Sequence, residues 1–230
     1  MALQVTILAA GMGTRLGRPF PKPLTQLRDG RSIMQQQLDN VHEAFGADVR
    51  IQIVVGFKLD LIMEAAPSAV FVYNENYDQT NTNKSLLKAL RASHDGPVLW
   101  MNGDVVFDSA ILERLKPYIE AGQTVISVNT AAVSDEEVKY TVDENGMVKE
   151  LSKTVVGGLG ESVGINVISA ADKAALIERL DECAEQDYFE RGIELAIEHD
   201  GLQVVPVDIS DLFAVEIDFE ADLERANERP

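Results

Sequence analysis

Cysteine is almost absent. Cys183 is the only one in 230 residues, so no disulfide can form within the chain and no thiolate cluster can hold a metal. Histidine is nearly as scarce: His42, His94 and His199 lie far apart and show no ligand spacing. No apolar run reaches the roughly 20 residues that a membrane-crossing helix needs. The opening residues carry neither a basic stretch nor a cleavage pattern. A cytoplasmic location and no membrane partner are therefore expected. Cations are also in short supply, with 20 Lys and Arg against 38 Asp and Glu and a formal charge of −18. Such a surface repels polyanions, so no nucleic-acid partner is expected, although a few local cations could still hold a small phosphorylated ligand.

What is present is an even spread of apolar residues, 46% of the chain, enough to bury a sizeable core. Apolar runs at 4–9, 51–55, 70–73 and 98–101 read as buried strands. Between and after them come helical stripes, such as Met34, Leu38, Val41 and Phe45 behind a capping box at Ser32 and Gln35. Leu59, Ile62, Met63 and Ala66 mark a second helix, Leu86, Leu87 and Leu90 a third, and Leu112, Leu115 and Ile119 a fourth. The second half differs. Residues 140–142 and 147–151 flank Asp143-Glu-Asn-Gly146, a hairpin signal. A glycine-rich stretch at 157–160 follows, then a strand at 163–168, helices near 170–181 and 188–199, a strand at 202–207 and a last helix from Phe219. The pattern predicts an α/β fold, Rossmann-like and doubly wound, with a mostly parallel sheet and a small antiparallel hairpin region. Ligands in such sheets bind beyond the carboxyl ends of the strands.

The most informative stretch is Leu8-Ala9-Ala10-Gly11-Met12-Gly13-Thr14-Arg15-Leu16, followed by Pro21-Lys22-Pro23-Leu24. Coming off a buried strand, glycines let the backbone approach a ligand and turn its N–H groups toward phosphate. A dinucleotide fingerprint would place glycine where Leu16 stands, and a Walker loop would need Gly-Lys-Ser/Thr where Lys22 sits between prolines. A plain glycine-rich turn is the bland alternative. Against it stand Arg15 and Lys22, two of few cations, placed on either side of a stiff loop. An Arg fork and a compact Lys charge suit a triphosphate and its departing pyrophosphate.

These residues resemble the signature of the sugar-phosphate nucleotidyltransferase (NTP transferase) family. They are most similar to its small bacterial phosphocholine, phosphonate and inositol-phosphate cytidylyltransferases. The resemblance implies a single nucleotidyltransferase domain over 1–230, with a nucleotide-binding half at 1–130 and an acceptor-binding half at 131–230. It also implies an enzyme that joins CMP from CTP, or another NTP, to a small phosphorylated or phosphonate acceptor. Residues 8–15 with Lys22 and Gly103 would bind the nucleotide, and Arg15, Lys22 and Lys153 would carry catalysis. Asp104, after Trp100-Met-Asn-Gly103, and Asp218, in Glu216-Ile-Asp218, would hold Mg²⁺, with Glu216 in support. Taken alone, Asp104 could simply open a turn and Asp218 could cap the last helix. Asn81, Asn83 and Ser85, in a polar stretch before a helix, would read the pyrimidine and touch ribose, since amides offer both donor and acceptor. Lys139, Lys153, Glu161, Gly164, Tyr188 and Glu190 would line the acceptor pocket. Lys139 could equally be a solvated strand lysine, and Ser152 replaces a family Glu.

No aromatic stands at Val138, which weakens a choline cage, while Tyr140, Tyr188 and Phe189 remain available. An acceptor oxygen that is already anionic needs no general base, so the lack of a suitable histidine is no obstacle. A homodimer is compatible with the sequence. The rival expectations are a sugar-1-phosphate or inositol-phosphate nucleotidyltransferase that uses CTP, UTP or dTTP, a non-catalytic nucleotide-binding regulatory module and an NAD-dependent dehydrogenase.

Overall fold

Six residues without a charge, Gln4–Ala9, form β1, buried along its whole length. Alternation in this strand sorts the core into two layers. Val5, Ile7 and Ala9 face one cluster, and Leu8 with Ala10 faces the other. The structure, a computed structural model, describes residues 2–131 and 137–228, without the side chain of Thr14.

After β1 come α1 (Ile33–Phe45), β2 (Arg50–Val55), α2 (Leu59–Ala65), β3 (Val70–Tyr73) and α3 (Thr82–Arg91). Then follow β4 (Val98–Asn102), β5 (Val105–Phe107), α4 (Ser109–Glu120) and β6 (Thr124–Asn129). The hairpin β7 (Lys139–Val142) and β8 (Val148–Ser152) leads to the long β9 (Gly160–Ile168). The chain ends with α5 (Lys173–Glu182), α6 (Phe189–Asp200), β10 (Val204–Asp208), β11 (Ala214–Glu216) and α7 (Glu220–Asn227).

The main sheet runs β10-β6-β9-β4-β1-β2-β3. β3, β2, β1 and β4 are parallel, as the strand–helix alternation predicts. β9 lies antiparallel between β4 and β6, and β7 hangs the hairpin on its outer end. Met34, Leu38 and Val41 of α1 with Leu112 and Leu115 of α4 cover one face. Leu86 and Leu90 of α3, Leu176 and Leu180 of α5, and Phe189 and Ile193 of α6 cover the other. Trp100 and Phe189 meet there edge to face, with ring centroids 5.6 Å apart.

Several sequence expectations are corrected. β5 and β11, three residues each, are too short to show a period, and β6, which begins and ends on polar side chains, was not anticipated. β9 begins at Gly160, inside the stretch read as a glycine loop. The capping box at α1 is half made: Ser32 Oγ accepts from the Gln35 N–H at 3.1 Å, but the Gln35 side chain donates to Asp39 instead. Met63 of α2 is 41% exposed and does not join the inner stripe.

β1 and β4 end side by side, and the chain leaves β4 through Gly103, whose N–H donates to Leu8 O at 2.9 Å. A Cβ on Gly103 would lie 2.7 Å from that oxygen, a backbone atom that cannot swing away. Gly103→Ala should therefore cost about 1–3 kcal/mol through overpacking. Urea unfolding should show a lower midpoint at unchanged slope; an unmoved midpoint would mean the two strand ends are not held this tightly.

Candidate active site

Beyond β1 the chain passes Gly11 and Gly13 into two single 3₁₀ turns, Thr14–Leu16 and Lys22–Leu24. Gly13 sits at φ +58, and a Cβ there would come within 2.9 Å of Lys22 Cβ, so the loop folds onto the lysine only because residue 13 is glycine. Pro21 and Pro23 fix φ on either side of Lys22. The N–H groups of Leu24 and Thr25 donate to the carbonyls of Pro21 and Lys22 at 2.9 Å each. Lys22 is thus positioned by a stiff loop, with its side chain only 11% exposed.

Its partners come from two distant segments. Asp104 stands two residues past β4, and Glu216 ends β11 two residues before Asp218. Antiparallel pairing of β11 with β5, extended by Ile217 N–H donating to Asp104 O at 3.0 Å, brings the three acids together. Lys22 Nζ donates to Asp104 Oδ2 at 2.8 Å and to Asp218 Oδ1 at 2.6 Å. Arg15 donates to the other oxygen of Asp218. Asp218 does not cap α7: Asp222 Oδ2 accepts from the N–H groups of Asp218 and Phe219 at 3.1 and 2.8 Å, which leaves the Asp218 carboxylate for the cations.

Asp104, Glu216 and Asp218 each offer a carboxylate oxygen within 4.8 Å of the others. Three hard oxygen donors on a rigid frame suit Mg²⁺ and not a soft metal, so the donor set fits the expected ion. Glu216, expected only to support the site, stands among the potential ligands. The electrostatics show the crowding. The charge of Asp104, then that of Asp218, pushes the Glu216 carboxyl well above its ordinary range even though the residue is exposed. Burial alone would lower the Lys22 ammonium, but Asp104 and Asp218 outweigh it and hold the ammonium above its usual value. Burial likewise opposes ionisation of Asp218, yet Lys22 and Arg15 prevail and keep that carboxylate low. Asp218 in turn raises Arg15.

The cluster opens into a cleft of about 680 Å³. Leu8, Ala9, Gly11, Gly13 and Gly103 line its floor together with the charged group. Ala10 is buried beneath, and Met12 points outward at 41% exposure. The Thr14 side chain, expected to meet the nucleotide, lies outside the described residues.

Asn81, Asn83 and Ser85 do not line the cleft, and the hydrogen bonds of the two amides are spent inside the fold. Asn81 caps α3 by accepting from the Thr82 N–H at 2.8 Å and donates to Gln186 O at 3.2 Å. Asn83, fully buried, donates to Ala184 O and accepts from the Lys84 N–H, both at 2.6 Å. Ser85 Oγ accepts from Asn74 at 3.1 Å. Thr82, on the same turn, is the side chain that reaches the cleft.

Lys153, Glu161, Gly164, Tyr188 and Glu190 line the same cleft. Lys153 Nζ lies 4.8 Å from the centroid of the Tyr188 ring. Gly164, at φ +76, lets Asn102 Nδ2 approach to 2.7 Å from where a Cβ would be. Lys139 does not line the cleft; it is 9% exposed in β7, and its stem packs against Gly158. Glu137, Asn102 and Thr82 are cleft residues that sequence reasoning missed. Only Asn102 carried a signal, as the residue before Gly103 and Asp104. Glu190 is the most constrained acid: it is 7% exposed, and Oε2 has no hydrogen-bond partner. Burial first, with Glu137 and Glu194, raises it to about 7. Glu137 is raised by burial and then by Glu161.

The model of the MobA-like NTP transferase domain matches residues 5–154. A CMP-5′-(3-aminopropyl)phosphonate synthase of Streptomyces rubellomurinus is 35% identical over 134 residues, 54% of this chain and 21% of that protein. The chain thus spans about a fifth of that relative. Among solved structures, the CTP:phosphocholine cytidylyltransferase of Streptococcus pneumoniae superposes with a TM-score of 0.75 at 18% identity, covering 99% of both chains. The inositol-1-phosphate CTP transferase of T. maritima does so with 0.77 at 16%, covering 98% of this chain and 96% of the other. At these identities the two structures speak to the fold.

Two stability effects follow from the site's charges. Lys22→Met leaves Asp104, Glu216 and Asp218 facing one another and should cost about 3 kcal/mol in metal-free buffer. Added Mg²⁺ should restore more of the melting temperature in the variant than it adds to the parent; equal melting curves would show that the acids do not need the lysine. For Glu190, the folded value near 7 lies above the ordinary 4.5, so the folded state is the one that resists ionisation. The penalty is nil below about pH 4.5, grows between 4.5 and 7, and is complete above 7. Glu190→Gln should then stabilise the protein above pH 7 by up to about 3 kcal/mol and change little in acid, as read from denaturant unfolding at both pH values.

Proposed function

The chain belongs to the family of the MobA-like NTP transferase domain, and on that premise we propose that it is an Mg²⁺-dependent cytidylyltransferase. It transfers CMP from CTP to a small phosphorylated or phosphonate acceptor of the aminoalkylphosphonate or phosphocholine type and releases pyrophosphate. The observation that carries this reading is the meeting of Asp104, Glu216 and Asp218 with Lys22 and Arg15 beside the carboxyl ends of β1 and β4.

The reaction is an in-line displacement. An anionic acceptor oxygen forms a bond to the α-phosphorus while the bond from that phosphorus to the bridging oxygen of pyrophosphate breaks. No proton need move, so the work is positioning and charge neutralisation. Mg²⁺ held by the three carboxylates would supply positive charge to the phosphates. Lys22 and Arg15 stand ready to balance charge on the α-phosphate and the leaving group, and the glycines of the loop leave its backbone open to phosphate oxygens. Lys153, which lines the same cleft, would hold the acceptor's anionic head.

Support for cytosine comes from the named products of the relatives rather than from Asn81, Asn83 and Ser85. Those three shape the wall that presents Thr82.

Pyrophosphate release should appear with CTP, Mg²⁺ and an aminoalkylphosphonate or phosphocholine, and not with UTP, ATP, GTP or dTTP. Arg15→Ala and Asp104→Ala should each lower kcat by about a hundredfold to a thousandfold. Release with UTP or dTTP and a sugar 1-phosphate would keep the chemistry and replace the substrates. A folded protein that binds nucleotide yet releases nothing with any acceptor would be a binding module.

A further inference from the structure

Resting on the transferase reading above, we propose that Glu190, with Glu137 beside it, forms a seat for a protonated primary amine. The acceptor is then a small amino phosphonate or amino phosphate monoester, and the enzyme discriminates against its trimethylated and amine-free counterparts. The seat is built. Glu190 is 7% exposed, lines the cleft, and keeps one carboxylate oxygen, Oε2, covered and without a hydrogen-bond donor. A covered oxygen of this kind is costly to leave unpaired, and Glu190 is among the residues that line the cleft, so a ligand N–H entering there can supply the missing donor once the side chain turns toward it.

Neighbouring charges point the same way. Lys153, Glu137 and Glu194 act on Glu190. Glu194 is already committed, with one oxygen accepting from the Leu151 N–H and the other paired with Arg191. Lys153 is shared with the Tyr188 ring and with the acceptor's anionic head. Glu137 also faces the cleft, and burial and Glu161 raise it. One lysine beside Glu137 and Glu190 is a poor receptor for a ligand that is only an anion. It matches a zwitterion, whose phosphonate or phosphate meets Lys153 while its ammonium meets Glu190 and Glu137.

The nitrogen must carry hydrogens. A trimethylammonium has no N–H to give Oε2 and is held best by open aromatic faces. Of the rings that line the cleft, Tyr188 already carries Lys153 and Phe189 is buried edge-on against Trp100, while Phe213 and Phe219 belong to the segments that flank Glu216 and Asp218. Val138, on the same wall, offers no ring.

The test compares 2-aminoethylphosphonate and phosphoethanolamine with phosphocholine, the trimethylated aminoethylphosphonate and ethylphosphonate, each with CTP and Mg²⁺. Wild-type protein should favour the primary amines by about tenfold to a hundredfold in kcat/KM, with most of the difference in KM. Glu190→Gln should collapse that ratio to about threefold or less, and Glu137→Gln should reduce it in part. Calorimetric binding of 2-aminoethylphosphonate should weaken in the Glu190→Gln protein. A ratio near one in the wild type, or one that survives both substitutions, overturns the amine seat while the transferase stands. If no acceptor releases pyrophosphate but 2-aminoethylphosphonate still binds wild type and not Glu190→Gln, the seat stands and the transferase reading falls. A Glu190→Gln protein that melts below wild type at neutral pH would mark Glu190 as structural and count against the proposal.

Discussion

Lys22 between Asp104 and Asp218 is the interaction on which the rest of the site depends. It ties the loop after β1 to the end of β4 and to the segment after β11, three pieces of chain that are far apart in sequence. The tie works only because each piece is held independently. Prolines clamp the lysine, Gly103 lets β4 close on β1, and the β5–β11 pair delivers Glu216 and Asp218. Ion pairs of this depth add little net stability, because desolvating the partners consumes most of the Coulombic gain. Their worth is positional: charges intended for a ligand are kept in place and mutually neutralised until it arrives.

An acidic protein can still concentrate positive charge for the same reason. The 38 acidic side chains spread a negative field, yet the cleft gathers Arg15 and Lys22 from a chain that holds only 20 basic residues. The same cleft is lined by Lys153 together with Glu137 and Glu190, so cations and acids share one opening.

Much of this was legible in the sequence because it rests on local chemistry. β1, its glycine loop and Lys22 are close in sequence, and Gly103-Asp104 follows an apolar run by one residue, so strand, turn and acid could be read in one window. The parallel half of the sheet was legible for the same reason. Elements set by partners were not. β6 is fixed by β9 and β10, β5 and β11 by each other, and none has a pattern of its own. The same limit explains Asn81, Asn83 and Ser85. Their residue types suit a base edge, but only tertiary structure shows that Ala184 O, Gln186 O and Asn74 already occupy them.

Asp218 shows how the two kinds of information differ in force. By sequence it was both a helix cap and a metal ligand, since a carboxylate before a helix serves either role. The structure separates the roles by giving the cap to Asp222, which takes the N–H groups of residues 218 and 219. That division has a functional consequence. A capping carboxylate is pinned to backbone donors and cannot exchange partners when a ligand arrives. Asp218 instead pairs through its side chain with Lys22 and Arg15, both on the loop after β1, and shares the cluster with Asp104 and Glu216. With Asp222 taking the backbone donors at the start of α7, the Asp218 carboxylate is left to the cations, and both acids line the same cleft beside the short β5–β11 pair.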